Sequence, residues 1–346
     1  MIQALVVLLF SSITVGGTQL DFRVDPPQRI LDSILTERQM LKEQTFELAS
    51  APEGQWDIVI ADSLFTGQLI LENTKNVLIS NCEFKDITTA WPPIDIINCE
   101  NVYIRNCLIH DCVQVDSAHN RGLNIQSVGG AGACRNVTVE GCHIWKIGGS
   151  GINIGKPDVP GVRIINNVIH STGLMPSTNR NSPTHGIYSK GTDVLIEGNI
   201  IFDCRDGSAI SQRSTGVIRN NLLFDWCEGK SGIAYWHAWA PGPSDSLLIE
   251  NNAIVFRDTT RPRAGISLNE SRSAYDIYRF PNHIIRFNTV VFFDEVGRNA
   301  CIKGWEDFGN NQIYANLITD MRPHKFMQIP GKLWDNVFTT TFDNYH

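Results

Sequence analysis

The amino-acid sequence predicts an all-β solenoid of about ten coils, built from short parallel strands and preceded by an α-helical cap. Three observations predict it: a phrase that recurs about ten times, short β-rich runs between its copies, and an amphipathic segment ahead of the first copy. Of the 346 residues, 42% are hydrophobic and 19% are charged, which is typical of a folded globular protein. The copies follow one another without a linker, so we expect one solenoid domain over residues 51–346.

The N-terminal segment has the pattern of a secretory signal peptide. Its apolar run from Ala4 to Val15 is interrupted only by small hydroxyl residues, and small residues follow it at Gly16–Thr18. No basic residue precedes the run, which leaves a buried first strand as the alternative. We expect residues 1–18 to be removed and the protein to be secreted, periplasmic or displayed at the cell surface. The run is too short to span a membrane, so the mature chain is expected to have no transmembrane segment.

Residues 19–50 are predicted to form the helical cap. Asp25 is suited to the N-cap position and Pro26 to the first helical position. The apolar residues that follow have helical spacing: Ile30, Leu31, Ile34, Leu35 and Leu41. A helix here would cover the open end of the stacked strands, whose first edge would otherwise promote aggregation.

The recurring phrase consists of an aliphatic residue, two variable residues, an anchor that is Asn or Cys, and another apolar residue two places on. The anchors are Cys82, Cys107, Cys142, Asn167, Asn199, Asn221, Asn252, Asn288, Asn316 and Asn336. The shortest interval between anchors, the last one, is 20 residues, which fits one turn of a solenoid with loops inserted in the longer copies. The cysteines are expected to be buried thiols that act as small apolar residues.

Each copy contains three short β-rich runs in the same order, separated by Gly, Asn and Asp. One run holds the anchor phrase, one follows the anchor, and one precedes the next anchor, as in Gly151-Ile-Asn-Ile154. Because the order never alternates, each run is expected to pair with its counterpart in the next copy. This pairing predicts parallel sheets around a core, with the residues two places after each anchor in one internal stripe.

This pattern resembles the right-handed parallel β-helix family, the pectate-lyase-like superfamily, over roughly residues 50–346. The Asn ladder and the helical cap both match that family. The resemblance implies a right-handed parallel β-helix solenoid. It leaves the activity open, because this fold carries lyases, hydrolases, epimerases, phage tailspikes and adhesins.

Residues at the same place in successive coils form columns about 4.8 Å apart. On the run that precedes the anchor, the central copies place these residues on one face: Arg121, His185, Tyr188, Lys190 and Arg213. A lysine beside an arginine loses its proton more easily and can act as a general base. Arg213 is suited to a uronate carboxylate, and Tyr188 or His185 can donate to the leaving oxygen. The set fits β-elimination from an acidic sugar; the alternative is a set of solvated surface residues.

Arg121 and four more residues near this face are candidates for sugar binding. His119 and His237 belong to adjoining turns, and Trp236 and Trp239 belong to an aromatic-rich segment that ends at Pro241. Exposed aromatic rings can stack on sugar rings. The alternative is that this segment packs its rings on the solenoid wall.

A second column, four places after each anchor, is rich in aspartate. Asp203 and Asp225 belong to adjacent coils, and Asp206 lies three residues after the first of them. Paired carboxylates are the catalytic groups of glycoside hydrolases. Clustered carboxylates also hold Ca²⁺, as in the pectate lyases that the sequence resembles, so calcium is the one cofactor that the sequence suggests. The alternative is that each Asp caps a turn.

The net charge of −7 argues against nucleic-acid binding, which needs clustered basic residues. We expect a secreted carbohydrate-active protein that cleaves or modifies an acidic, uronate-containing polysaccharide by β-elimination. The alternative is a non-catalytic glycan-binding protein of the adhesin or spike type, and a further alternative is an Asp-based glycoside hydrolase. In each case the partner is a polysaccharide or a cell-surface glycan.

Overall fold

The structure is a computed structural model. It describes residues 12–15, 18–21, 56–113, 121–128, 134–156, 158–175, 183–227, 229–236, 247–256, 264–269, 283–292, 301–304, 311–319, 327–328, 332–334 and 336–339. The chain divides into two compact units, Met1–Gln55 and Trp56–His346.

In the first unit, β1 (Ser12–Val15) and β2 (Thr18–Asp21) form a two-stranded antiparallel ladder with Ser12 opposite Asp21. The two residues between these strands are both glycine, a pair that is typical of two-residue hairpin loops. The structure thus has strands where the sequence predicts the end of a signal peptide and the start of the cap. The predicted cap helix beyond Asp25 lies outside the described residues.

The second unit is built from short strands. The first sixteen are β3 (Ile58–Ala61), β4 (Leu64–Phe65), β5 (Leu69–Glu72), β6 (Lys75–Ser80), β7 (Glu83–Lys85), β8 (Ile94–Ile97), β9 (Glu100–Arg105), β10 (Leu108–Cys112), β11 (Leu123–Gln126), β12 (Arg135–Glu140), β13 (His143–Ile147), β14 (Ile152–Ile154), β15 (Arg163–Ile165), β16 (Val168–Thr172), β17 (Ile187–Ser189) and β18 (Val194–Glu197). The others are β19 (Ile200–Cys204), β20 (Ile210–Gln212), β21 (Gly216–Arg219), β22 (Leu222–Trp226), β23 (Ser231–Trp236), β24 (Leu247–Glu250), β25 (Ala253–Phe256), β26 (Ala264–Asn269), β27 (Ile284–Arg286), β28 (Thr289–Phe292), β29 (Ile302–Gly304), β30 (Gln312–Tyr314), β31 (Leu317–Thr319), β32 (Met327–Gln328), β33 (Lys332–Trp334) and β34 (Val337–Thr339).

These strands form three sheets in which every pairing is parallel and joins strands three places apart in the chain. Sheet 1 runs from β3 through β6 and β9 to β33, sheet 2 from β4 through β7 and β10 to β34, and sheet 3 from β5 through β8 and β11 to β32. Each coil therefore contributes one strand to each sheet, and the prediction of stacked parallel strands is confirmed. Within the described residues, no helix is long and apolar enough to cross a membrane.

The core fills the inside of the coils. The internal stripe predicted two places after each anchor is confirmed by the pairing of sheet 2, which places Phe84, Ile109 and Ile144 side by side. Nine members of that stripe are fully buried: Phe84, Ile109, Ile144, Ile169, Ile201, Leu223, Ile254, Val290 and Ile318. Burial of each such side chain stabilises the fold by about 1.5–3 kcal/mol.

The anchor asparagines form a buried ladder. Asn199 donates from its backbone N–H and from Nδ2 to Oδ1 of Asn221, at 2.9 and 3.0 Å, and Nδ2 also donates to the carbonyl of Ile164. The same pattern links the anchors from Asn167 to Asn336. Each amide thus satisfies backbone groups of neighbouring turns.

Thiols continue this ladder at its N-terminal end. The backbone N–H of Cys142 donates to Oδ1 of Asn167 at 2.9 Å, and the backbone N–H of Cys107 donates to Sγ of Cys142 at 3.4 Å. No disulfide bond joins the nine cysteines, all of which lie in the described ranges. Hydrogen bonding with Cys142 and burial raise the pKa of Cys107, so this thiol stays protonated and packs as a small apolar residue.

A glycine precedes the inward isoleucine of several sheet 3 strands because the coils approach closely there. A Cβ at Gly151 would lie 2.6 Å from Cγ2 of Ile169 and 2.8 Å from the carbonyl oxygen of Gly186. No side chain fits that gap, which explains why Gly recurs at this place in the sequence. In each of these strands, the residue after the inward isoleucine points outwards on sheet 3.

Candidate functional site

The outward side chains of sheet 3 form the face that the sequence selects. The pairing of β8, β11, β14, β17, β20 and β23 aligns one outward residue from each coil: Asp95, Asn124, Asn153, Tyr188, Ser211 and Ala234. The predicted stacking of equivalent residues from successive coils in columns is therefore confirmed for this sheet. We call this surface the sheet 3 face.

Tyr188 lies at the centre of the sheet 3 face. The ring of His185 stacks on it, with centroids 5.4 Å apart and an interplanar angle of 7°. The guanidinium carbon of Arg213 lies 5.2 Å from the centroid of the Tyr188 ring, and Nζ of Lys190 lies 5.7 Å from it. All four predicted catalytic residues are thus brought together around one ring. Trp236 joins them, with its ring centroid 5.7 Å from the guanidinium of Arg213.

The cations of Arg213 and Lys190 both lie against the Tyr188 ring, and both side chains are partly removed from solvent. Arg213 is only 8% exposed, and burial lowers its pKa while the contact with Tyr188 opposes that shift. Burial and then the charge of Arg213 lower the pKa of Lys190, and Lys156 and Arg121 add to the effect. Lys190 therefore loses its proton at a lower pH than an ordinary lysine, which is the property a general base needs.

His185 is buried and stacks on the Tyr188 ring. It is 3% exposed, and its Nδ1 accepts a hydrogen bond from the backbone N–H of Ser208 at 2.9 Å. The proton of the neutral ring is therefore on Nε2, which has no hydrogen-bond partner among the described residues. Burial and then the charge of Arg213 hold the pKa of His185 well below its usual value. The sequence places His185 beside Tyr188 as a second proton donor, whereas its burial suits it to hold the tyrosine ring in place.

One end of the sheet 3 face carries a polar network that the sequence analysis missed. Nδ2 of Asn153 donates to Oδ1 of Asn124 at 2.6 Å, and Nδ2 of Asn124 donates to Oδ1 of Asp95 at 2.7 Å. Arg121 donates from a terminal guanidinium nitrogen to Oδ1 of Asn124 at 3.2 Å. The segment Ile94-Asp95-Ile96 has the same pattern as Leu123-Asn124-Ile125. It is preceded by Pro93, whereas the later segment is preceded by Gly122. Because of this difference, the sequence pattern does not identify the strand that contains Asp95.

The predicted sugar-binding residues divide into two groups. Arg121 and Trp236 lie on the sheet 3 face, as described above. His119, His237 and Trp239 lie outside the described residues, so their part in the site stays a prediction.

The aspartates of the second column occupy turns at the end of sheet 2 strands. Asp203 and Asp225 both have a φ of 48°, a left-handed conformation that Asp tolerates better than most residues. Asp203 pairs with Arg205, whose Nε lies 3.0 Å from Oδ1, and accepts a hydrogen bond from Ser171. Asp206 accepts hydrogen bonds from the backbone N–H and the hydroxyl of Thr184, at 2.7 and 3.0 Å.

These contacts favour the turn interpretation over the metal interpretation. Within the described ranges, which include Asp203, Asp206 and Asp225, no group of three His, Cys, Asp or Glu side chains is arranged to hold a metal ion. Asp203 binds a cationic donor of its own coil, and Asp203 and Asp206 accept from hydroxyl and backbone donors of the preceding coil. The Ca²⁺ site at these three residues stays a prediction.

Sheet 2 carries a row of stacked rings on its outward side. Nε2 of His143 and Nε2 of His170 are 2.9 Å apart, and the His170 ring stacks on Phe202 with centroids 4.6 Å apart. One imidazole must donate and the other accept, so the contact requires that at least one ring be neutral. Burial lowers the pKa of His170 from 6.5 to about 4, although Asp203 opposes the shift and Lys146 adds to it.

The stability of the fold should therefore fall in mild acid. The pKa of His170 is lower in the folded chain than in the unfolded chain, so its contribution is fully present above pH 6.5 and is lost as the pH falls towards 4. A shift of this size corresponds to about 3 kcal/mol. Urea unfolding at several pH values should show this loss for the natural protein and a smaller one for His170→Phe, which keeps a stacked ring. Equal acid sensitivity of the two proteins would contradict the assignment.

Residues 58–179 and 130–318 match the family described as right-handed β-helix region. No curated protein is similar enough in sequence to match this chain.

Solved structures of low sequence identity share the fold. The Dettilon tailspike protein (gp208) is 15% identical with a TM-score of 0.51, over 80% of this chain and 61% of the tailspike chain. The A-module of the mannuronan C-5 epimerase AlgE6 of Azotobacter vinelandii is 14% identical with a TM-score of 0.50, over 77% of this chain and 65% of the module. The chain thus spans less than two thirds of either structure, and these similarities concern the fold alone.

Proposed function

The chain belongs to the right-handed β-helix family, and on that premise we propose that the sheet 3 face binds an acidic, uronate-containing polysaccharide and cleaves it by β-elimination. One observation carries the proposal: Lys190 and Arg213, from adjacent coils, both lie against the ring of Tyr188. A base, a carboxylate-binding cation and a hydroxyl donor are thereby held within the span of one sugar residue. The family alone does not select this activity, so the proposal depends on these side chains.

Each group has a defined part in the reaction. Arg213 pairs with the uronate carboxylate and stabilises the negative charge that develops on it. The neutral amine of Lys190 removes the proton from the carbon next to the carboxylate, C5. The electron pair of that C–H bond forms a C4–C5 double bond as the bond from C4 to the glycosidic oxygen breaks. The hydroxyl of Tyr188 gives its proton to the departing oxygen and is then reprotonated from solvent.

The neighbouring residues prepare these groups. His185 stacks on Tyr188 and fixes the plane of its ring, so we assign it a positioning part and not a proton-transfer part. Arg121 adds positive charge to the face and contributes to the lowered pKa of Lys190. One of the similar structures is named a mannuronan C-5 epimerase module, so an activity on polysaccharide is compatible with the fold.

A direct assay tests the proposal and separates it from its alternatives. The protein is incubated with polygalacturonate, alginate and glycosaminoglycans, while ultraviolet absorbance of the unsaturated uronate and release of reducing ends are followed together. We expect both signals to rise in parallel on at least one acidic polymer. Reducing ends without unsaturation would favour hydrolysis by the aspartates, and binding without turnover would favour a glycan-binding protein.

The pH dependence of the rate provides an independent test. Because Lys190 must be deprotonated to act as a base, the rate should rise with pH, with a midpoint below the ordinary lysine value of 10.5. Lys156 is exposed and its charge lowers the pKa of Lys190. The variant Lys156→Gln should therefore shift the rising limb to higher pH and keep the plateau rate. The control Lys75→Gln, which removes a cation from sheet 1, should not move it; an unmoved limb in both variants would contradict the assignment of Lys190 as base.

A further inference from the structure

One position of the sheet 3 face, in the coil next to that of Tyr188, carries no side chain. The residues three places after each inward aliphatic form an outward column: Gln126, Gly155, Lys190, Arg213 and Trp236. Gly155 is the one member of this set without a side chain. We call the place of the missing side chain, between Gln126 and Lys190 in the column, the Gly155 notch.

Amide groups line the Gly155 notch. A Cβ built at Gly155 would lie 3.3 Å from Nδ2 of Asn153, 3.6 Å from Cβ of Gln126 and 3.9 Å from Oδ1 of Asn124. Nδ2 of Asn153 uses one hydrogen for Asn124 and has a second one to offer. The notch is therefore bordered by the side-chain amides of Asn124 and Asn153, and Lys190 is the next residue of the same column.

The side-chain amides of Asn124 and Asn153 have a fixed orientation, which Asp95 determines. An Asn side chain can turn either its oxygen or its nitrogen towards a neighbour, and its hydrogen-bonding network decides which. A carboxylate only accepts, so Asp95 draws Nδ2 of Asn124 towards itself, and Asn124 in turn presents Oδ1 to Nδ2 of Asn153. The chain of bonds leaves Oδ1 of Asn153 directed away from Asn124, towards the coil of Tyr188. No donor among the described residues reaches that oxygen.

We propose that the Gly155 notch is a second sugar subsite, next to the cations, which recognises sugar hydroxyl groups through the oriented amides of Asn124 and Asn153. This inference rests on the proposed function and adds to it a specificity-determining element. The cations at Lys190 and Arg213 bind the carboxylate of one residue of the polymer. The notch accepts the neighbouring residue, whose hydroxyl groups donate to Oδ1 of Asn153 and accept from Nδ2. Asp95 is a positioning residue that keeps this donor and acceptor in place.

The notch should matter only for a polymer long enough to reach it. Binding of uronate oligomers, from the dimer to the hexamer, is measured by calorimetry at weakly acidic pH, where Lys190 keeps its proton and turnover stops. Gly155→Ala places a methyl group in the notch 3.3 Å from Nδ2 of Asn153, and Gly67→Ala is the control because it adds a methyl group with nothing within 4 Å. We expect Gly155→Ala to weaken binding of the longer oligomers about tenfold, the scale of a lost hydrogen bond, and to leave the shortest unchanged.

Asp95→Asn tests the direction of the amides without changing their shape. Asp95 is the counter-charge that opposes the lowered pKa of Arg121, so its removal makes the sheet 3 face more positive. If charge alone mattered, this variant would bind acidic oligomers of every length more tightly. We expect the longer oligomers to bind more weakly instead, because an amide at position 95 can also donate and no longer holds Asn124 in one orientation.

The outcomes separate this inference from the proposed function. Natural-like binding by both variants at every length, or an equal loss at every length, would overturn the notch and leave the proposed function standing. Tighter binding of all oligomers by Asp95→Asn would overturn the positioning part of Asp95. Absence of any uronate binding by the natural protein would overturn the proposed function and the notch together.

Discussion

Replacement of Lys190 by alanine is expected to lower kcat by about 10²–10⁴-fold, the usual contribution of a general base. Lys190 stands on the outward face of sheet 3 and is not part of the core, so the fold should persist. Lys190→Arg is the matched control, because arginine retains the positive charge but cannot lose its proton at ordinary pH. If the charge were the only requirement, Lys190→Arg would be active. We expect both variants to be inactive in the unsaturated-uronate assay, with unchanged melting temperatures.

Arg213 should show a different kinetic pattern. The pairing of its guanidinium with the carboxylate strengthens as charge develops, so Arg213→Ala should lower kcat/KM by about 10²–10³-fold. Arg213 also packs on Tyr188 and Trp236, and Arg213→Lys therefore restores the charge without the planar contact. Partial recovery in Arg213→Lys would support a carboxylate-binding part. Full activity in Arg213→Ala would remove Arg213 from the site.

The largest effect on stability is expected from the asparagine ladder. Oδ1 of Asn221 accepts from two donors of Asn199, and its Nδ2 donates to the carbonyls of Ile196 and Arg219 and to Oδ1 of Asn252. Asn221→Ala leaves several of these buried groups without partners. Each costs about 1–3 kcal/mol, so the variant should lose about 3–5 kcal/mol of unfolding free energy in urea.

The adjacent Asn220 provides the control for that measurement. It has a φ of 59° and makes its hydrogen bonds at the surface, to Glu197 and Asn251. Glycine adopts the same backbone conformation, so Asn220→Gly should cost less than about 1 kcal/mol. If Asn220→Gly and Asn221→Ala were equally destabilising, the ladder would have no special weight. Faster hydrogen exchange at the Asn199 backbone N–H in Asn221→Ala would locate the loss.

The repeat explains why much of the fold could be predicted from sequence. A buried Asn or Cys at one fixed place in each coil sets the register, and once the register is known, every outward column follows from counting. This is how Tyr188, Lys190 and Arg213 could be placed together although they belong to different coils. The same counting placed Asp203 and Asp225 on adjacent coils, but it does not distinguish a catalytic carboxylate from one that stabilises a left-handed turn.

Other features depend on side-chain packing, which a column does not specify. The sequence correctly places His185 next to Tyr188, but it does not predict that the ring is buried. The ring stacks on Tyr188 and accepts a hydrogen bond from Ser208. Asp95 was missed because the phrase that marks its strand begins with proline in place of glycine. The part proposed for Gly155 depends on the side-chain amides around it, whose positions a column does not specify.

The most direct test is the structure of Lys190→Ala bound to a uronate oligomer, since this variant should bind without turnover. The account predicts that the oligomer lies on the sheet 3 face, with one carboxylate within hydrogen-bond distance of Arg213 and the adjoining glycosidic oxygen beside the hydroxyl of Tyr188. An oligomer bound at the sheet 2 turns near Asp203 and Asp225, or one whose carboxylates all lie away from Arg213, would contradict it.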